Sequence, residues 1–201
     1  MNEVSKVIVF IALLIFFVLV ILIINENKIG ELFLEYRTSK NGKRYGIQEI
    51  FENSDIALEI LAQLHHNMDA FVSKLKAKYP NDKRAQRLVK NFNQVEIEET
   101  TETPDDDNTS YTINKGELMS LCLRESSNGR PFHDYNSLCF VIIHEMAHIA
   151  SVSEGHNFEF IENFKFLLKE AVIMGYYTPI DYSKNPFLYC GKVKVTNNPY
   201  Y

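Results

Sequence analysis

The stretch that most limits what this chain can fold into is Val141-Ile142-Ile143-His144-Glu145-Met146-Ala147-His148-Ile149-Ala150, followed by Ser151-Val152-Ser153-Glu154-Gly155-His156. Its apolar spacing predicts an α-helix. Turning 100° per residue from His144, an arc of roughly 100° gathers Ser137, Val141, Glu145 and His148, while Cys139, Ile142, Ile143, Met146, Ile149 and Ala150 fill the remainder. Such a helix is buried nearly all round, with its polar groups confined to one stripe. Imidazole and carboxylate groups buried without partners are costly, so the stripe calls for a partner common to all of them, and a cation supplies one.

His144 and His148 lie one turn apart on the same face, which is the H-E-x-x-H arrangement of zinc hydrolases, a motif only moderately specific by itself. Zinc takes a third protein ligand and, in catalytic sites, leaves a fourth position to water. Gly155 allows the chain to double back after the helix, and His156 follows directly, so the expected metal ligands are His144, His148 and His156, with Glu145 as general base. A carboxylate in place of His156 is the alternative. Glu159, Glu162 and Glu170 lie on the next expected helix, and Glu170 is the best placed of them.

From about Tyr111 to Val195 the chain resembles the minimal zinc metallopeptidase domains of the WLM and SprT-like group. It is closer still to the short membrane-anchored versions that large DNA viruses encode. The residues carrying the resemblance are Asn114-Lys115-Gly116-Glu117, Leu121-Cys122-Leu123-Arg124, Asp134-Tyr135-Asn136-Ser137-Leu138, the His144 to His148 motif, Gly155-His156-Asn157-x-Glu159-Phe160 and Tyr189-Cys190-Gly191. The first hundred residues are not covered. The resemblance implies Zn2+ at the three histidines, hydrolysis of peptide bonds in a protein or peptide substrate, and an α+β, zincin-like fold in which a small mixed sheet packs on helices. It also implies that the strand before the metal helix, with Ser120, Cys122 and Arg124, forms the cleft rim that pairs with substrate; an interior strand is the plain alternative. Tyr182 and Tyr189 are candidates for a phenol that stabilises the oxyanion.

Residues 7–24 form an unbroken apolar run long enough to span a bilayer, with no small-x-small cleavage site after it. The expected organisation is a transmembrane anchor over 1–27, a tether over 28–53 and a metallopeptidase-like domain over 54–201. Lys6 stands nearly alone before the run, whereas Lys28, Arg37, Lys40, Lys43 and Arg44 follow it. The run and that asymmetry predict a single-pass membrane protein with its catalytic domain on the cytoplasmic side, and the resemblance to viral proteins implies a virion or host membrane. A formal net charge of -5 argues against nonspecific binding to nucleic acid. Three cysteines without C-x-x-C spacing indicate neither a disulfide framework nor a zinc ribbon. Cys139 reads as core, and free thiols are favoured over a Cys122–Cys190 bridge.

Helices are expected from Ser54 or Asp55 to about Tyr79, from Asp82 to Asn93, through the metal motif from a cap at Asp134 or Asn136, and from Phe158 to near Gly175. Strands are expected at 94–100, 111–114, 117–124 and 192–195. The loop from Glu125 to His133 is expected to overhang the cleft with His133 exposed. Two rivals from other classes stand beside the peptidase: a tethered binding or assembly protein with a structural zinc or an inactive fold, marked by a closed fourth ligand such as Cys190 or a nearby Glu, and a zinc amidase acting on a non-peptide bond.

Overall fold

The computed structural model describes residues 10, 12–18, 34–101, 109–127 and 130–201. Five strands form a mixed sheet: β1 (Leu34–Thr38), β2 (Arg44–Gln48), β3 (Glu96–Glu99), β4 (Tyr111–Ile113) and β5 (Leu118–Leu121), in the order β1-β2-β3-β5-β4. The β1–β2 and β4–β5 pairs are antiparallel hairpins, whereas β2 with β3 and β3 with β5 are parallel. Parallel neighbours require a crossover. Between β2 and β3 it is made by two helices, α1 (Ser54–Lys78) and α2 (Lys83–Phe92).

One face of α1 is lined at helical spacing by Ala57, Leu61, Leu64, Met68, Phe71 and Leu75, all fully buried, against Tyr45 and Ile47 of β2 and Ile97 of β3. The helix begins after Asn53, a left-handed residue without a side-chain cap, rather than being capped by Ser54 or Asp55. Beside them α3 (Tyr135–Ala150) and α4 (Phe158–Ile173) pack on each other, with α2 against α3 and α3 against β4 and β5. A separate hairpin of β6 (Phe187–Tyr189) and β7 (Val193–Val195) follows.

Three expectations are corrected here. Among the described residues no helix is long and apolar enough to cross a membrane. The expected single-pass membrane protein and the assignment of a membrane side are therefore withdrawn; most of the apolar run over 7–24 lies outside the described residues, those at 12–18 being helical. The segment expected as a tether over 28–53 instead supplies β1 and β2, so from Leu34 onward it is part of the sheet. Its polar composition misled because β1 is an edge strand whose residues are half-buried or exposed.

The third correction concerns β5. Ser120, Cys122 and Arg124 were expected on the rim, yet all three are buried and β5 lies between β3 and β4, so its backbone edges are taken. Their polar groups are satisfied inside: Ser120 Oγ donates to Thr100 Oγ1 at 3.0 Å, and Arg124 Nε donates to Glu99 Oε1 at 2.8 Å. Glu99 also accepts from the Gln48 N–H at 3.0 Å. Burial pushes its carboxyl upward from the ordinary carboxylate value, against the opposing pull of the Gln48 N–H and Arg124. Alternation between apolar and polar residues is thus a property of two buried faces, one apolar and one networked.

Removing one member of a buried ion pair strands the other charge, at about 3–5 kcal/mol, whereas replacing both with apolar groups costs much less. Arg124→Ala is therefore expected to lower unfolding free energy by about that amount in urea titration, and Glu99→Leu with Arg124→Met by clearly less. A loss below about 1 kcal/mol for the single variant would contradict this role.

Candidate metal centre

Asp134 caps α3, its carboxylate accepting the Ser137 N–H at 3.0 Å. Within the helix nearly every side chain from Ser137 onward is buried, and only His144 and His148 retain partial exposure. α3 ends where Ser151 turns extended, with its Oγ donating to Ala147 O at 2.7 Å and accepting from Asn163 Nδ2 at 2.8 Å. Gly155 then adopts φ +74°, a conformation that favours glycine, and the chain doubles back. His156 comes to rest with its Nε2 3.0 Å from that of His144 and 3.1 Å from that of His148.

Glu159 shapes this turn. Its carboxylate accepts from the Val152 and Ser153 N–H groups, both at 3.0 Å, and from Ser153 Oγ at 2.6 Å. These bonds hold the carboxyl down to about 2. Asn157 caps α4 by accepting from the Phe160 N–H and donates to Ser153 Oγ at 2.7 Å. From β4–β5, Lys115 Nζ donates to Ser153 O at 2.7 Å and lies 3.1 Å from Glu154, pinning the loop that carries His156.

The alternative third ligands are elsewhere. Glu159 is spent on the loop, Glu162 is exposed on α4 outside the histidine cluster, and Glu170 accepts from Lys78 Nζ and Tyr79 Oη, both at 2.7 Å, at the other end of the helix. Periodicity alone could not separate these positions, because a helix start and a helix end carry the same stripe.

The three imidazoles rest on an aromatic floor. The Phe160 ring lies 4.3–4.8 Å from all three ring centres, and Phe164 lies 5.1 Å from that of His144. Burial lowers His144 to about 3 and His148 to about 4, the neighbouring imidazoles adding to the effect, so both rings are neutral near pH 7. Three nitrogens converging at such distances cannot all be satisfied by one another, since a hydrogen on one serves a single partner and leaves another lone pair facing a lone pair. A cation that accepts all three lone pairs resolves the conflict, and the set fits zinc.

Glu145 is fully enclosed beside them. Its carboxyl is pushed up to about 7 by burial, opposed by a hydrogen bond from Thr112 Oγ1 to Oε2 at 2.9 Å. Thr112 was not singled out from the sequence and Lys115 only as part of the Asn114–Glu117 run, with no role at the metal site; their place in the hairpin beside the motif could have suggested both. A cleft lined by Ser110, Thr112, Lys115, Val193 and Val195 opens onto the histidines and Glu145.

Of the two phenol candidates, Tyr189 lines this cleft, its hydroxyl donating to Cys122 O at 2.8 Å and 2.6 Å from Ser110 Oγ. Tyr182 instead packs in the core, its ring 4.9 Å from those of Phe140 and Phe187. His133, expected at the surface, is buried and its Nε2 accepts the Cys190 N–H at 3.2 Å. The described part of the 125–133 loop packs against the β6–β7 turn through Ser126 Oγ, which donates to Cys190 O at 2.7 Å, rather than over the cleft. Cys122 and Cys190 are joined as a disulfide, against the expectation of free thiols, and Cys139 is free and buried.

The WLM domain profile matches residues 101–186. Among curated proteins the chain is 40% identical over 90 residues to a protein of Acanthamoeba polyphaga mimivirus, covering 45% of each chain. It is 37% identical over 101 residues to one of Invertebrate iridescent virus 3, covering 49% of this chain and 55% of the other, and 42% identical over 69 residues to one of Invertebrate iridescent virus 6, covering 34% and 38%. The chain thus spans about half the length of the curated relatives it matches. Among solved structures it aligns with Wss1 from Saccharomyces cerevisiae at TM-score 0.46 and 19% identity, over 63% of this chain and 86% of that one, a likeness too loose to carry an argument. What these similarities support is a region akin to the WLM domain.

Metal binding to the folded state alone stabilises it by mass action. Zinc at a hundredfold excess over its Kd is expected to raise the melting temperature of metal-free protein by about 5–10 °C, and His148→Ala or His156→Ala to abolish the shift in calorimetry. An equal shift in either variant would contradict the three-histidine assignment.

Proposed function

We propose that the chain is a zinc-dependent metallopeptidase, with His144, His148 and His156 as ligands and Glu145 as general base. The observation that supports it most is the convergence of three imidazole Nε2 atoms beside a buried carboxyl. When bound there, zinc supplies Lewis-acid polarisation of the substrate carbonyl and acidifies a water molecule. Glu145 Oε2 is held by Thr112, which orients the carboxylate so that Oε1 takes the proton of the attacking water and later delivers it to the leaving amine.

The substrate reading follows from the sheet. Among the described strands β4 is the outer one of the sheet beside the cleft, and we infer that an extended peptide lies along it rather than along the interior β5. A protein or peptide is favoured over nucleic acid because a net charge of -5 gives the backbone phosphates little to bind. The rival structural-zinc reading required a closing ligand such as Cys190. That residue is instead bonded to Cys122 and lies in a cluster separate from the three histidines.

Glu145→Gln is expected to keep about one zinc per chain and to lower cleavage of an unfolded protein such as casein by at least about 100-fold. Retained cleavage would sink the mechanism. Thr112→Val, which removes the hydroxyl and keeps the shape, is expected to lower kcat about tenfold with KM nearly unchanged. An equal fall against a simple non-peptide amide and against casein would leave the bond class unassigned, whereas cleavage confined to the amide would point to the amidase.

A further inference from the structure

Cys122 follows β5, Cys190 follows β6, and their Cα atoms lie 6.2 Å apart, a separation a disulfide accepts. The polar atoms around the bond form a closed set. Ser110 Oγ accepts the Cys122 N–H at 2.9 Å and can donate its own hydrogen to Tyr189 Oη, which donates in turn to Cys122 O. On the other side, His133 Nε2 and Ser126 Oγ hold the Cys190 N–H and C=O. The turn is tight as well. Gly191 has φ +67°, and a Cβ there would meet Ser126 Cβ at 2.5 Å.

Ser110 immediately precedes β4, a strand of only three residues, whose Thr112 holds Glu145. So short an edge strand has few ladder bonds of its own and depends on how its ends are fastened. We propose that the Cys122–Cys190 bond is a redox-sensitive strap that fastens the C-terminal hairpin, through Tyr189 and Ser110, to the edge strand of the cleft, so that reduction loosens β4 and lowers peptide hydrolysis. The effect on hydrolysis rests on the peptidase reading, whereas the effect on β4 does not.

The chemistry is thiol–disulfide exchange with a low-molecular-weight disulfide. One cysteine thiolate attacks it and releases a thiol, and the second cysteine then displaces the other half. Two cysteine thiols are oxidised to one disulfide while one external disulfide is reduced to two thiols, which take up the two protons lost. Cys122, Cys190 and His133 also make a donor set for a soft metal. Two features favour the disulfide: the sulfurs are bonded to each other, and His133 Nε2 already accepts an amide hydrogen.

The test uses the full zinc-loaded chain, oxidised with glutathione disulfide or reduced with a phosphine. Denatured without reductant, the oxidised protein is expected to show about one reactive thiol, from Cys139, of the three cysteines. Reduction is expected to lower the melting temperature by roughly 10 °C, as for a bond closing a loop of 68 residues, to speed amide exchange at Tyr111–Ile113 about tenfold or more, and to lower kcat/KM about fivefold or more. Cys190→Ser should behave as reduced in both buffers, and Cys139→Ser should keep the full response. Three free thiols, or a second zinc at this cluster, would overturn the bond. Unchanged exchange at β4 on reduction would overturn the strap, and this arm decides it even if neither state cleaves a substrate, an outcome that would instead remove the peptidase reading. Should Cys190→Ser misfold, reduction of the folded wild type still decides.

Discussion

A buried carboxyl beside three converging imidazoles, two of them half-buried on the same helix and the third at the surface, sets the terms for the rest of this molecule. His144, Glu145 and His148 sit on a helix that is enclosed on nearly every side, and His156 is brought to them by a glycine turn. Burial lowers the two helical imidazoles and raises the carboxyl, so each is driven toward its neutral form. Neutral imidazoles with converging lone pairs are metal ligands in waiting. The same burial that makes the site costly without a cation makes it tight with one.

Everything around the helix serves this arrangement. Phe160 and Phe164 keep water from the rear of the histidines, Glu159 and Lys115 fix the loop carrying His156, and Thr112 orients Glu145 from the edge strand. The five-stranded sheet matters because it places β4 at its margin, alongside the cleft rather than within the core. The β6–β7 hairpin, stapled to the end of β5, closes the other wall with Val193 and Val195.

How much of this was legible in the residues depended on whether local pattern or long-range pairing decided the outcome. The helix of the motif, its Asp134 cap, the helix after Asn157 and the turn at Gly155 are local, and their signals were plain. The placing of Glu170 against Lys78 and Tyr79, ninety residues away in sequence, was not. Likewise the alternation in β5 could not say that its polar face meets Glu99 and Thr100 instead of solvent, because those partners belong to a strand whose neighbours are set by topology. His133 and Cys122 misled for the same reason: their environment is made by the turn at Cys190, 57 and 68 residues on. The polar segment after residue 33 read as a tether because an edge strand can be hydrophilic on most of its surface.

X-ray absorption at the zinc edge of the zinc-loaded, oxidised protein tests the central claim most directly. Three imidazole nitrogens and one water-class oxygen, all at about 2.0–2.1 Å and with no sulfur, is the result this account predicts. A sulfur shell at about 2.3 Å, or fewer than three imidazoles around the metal, would contradict it.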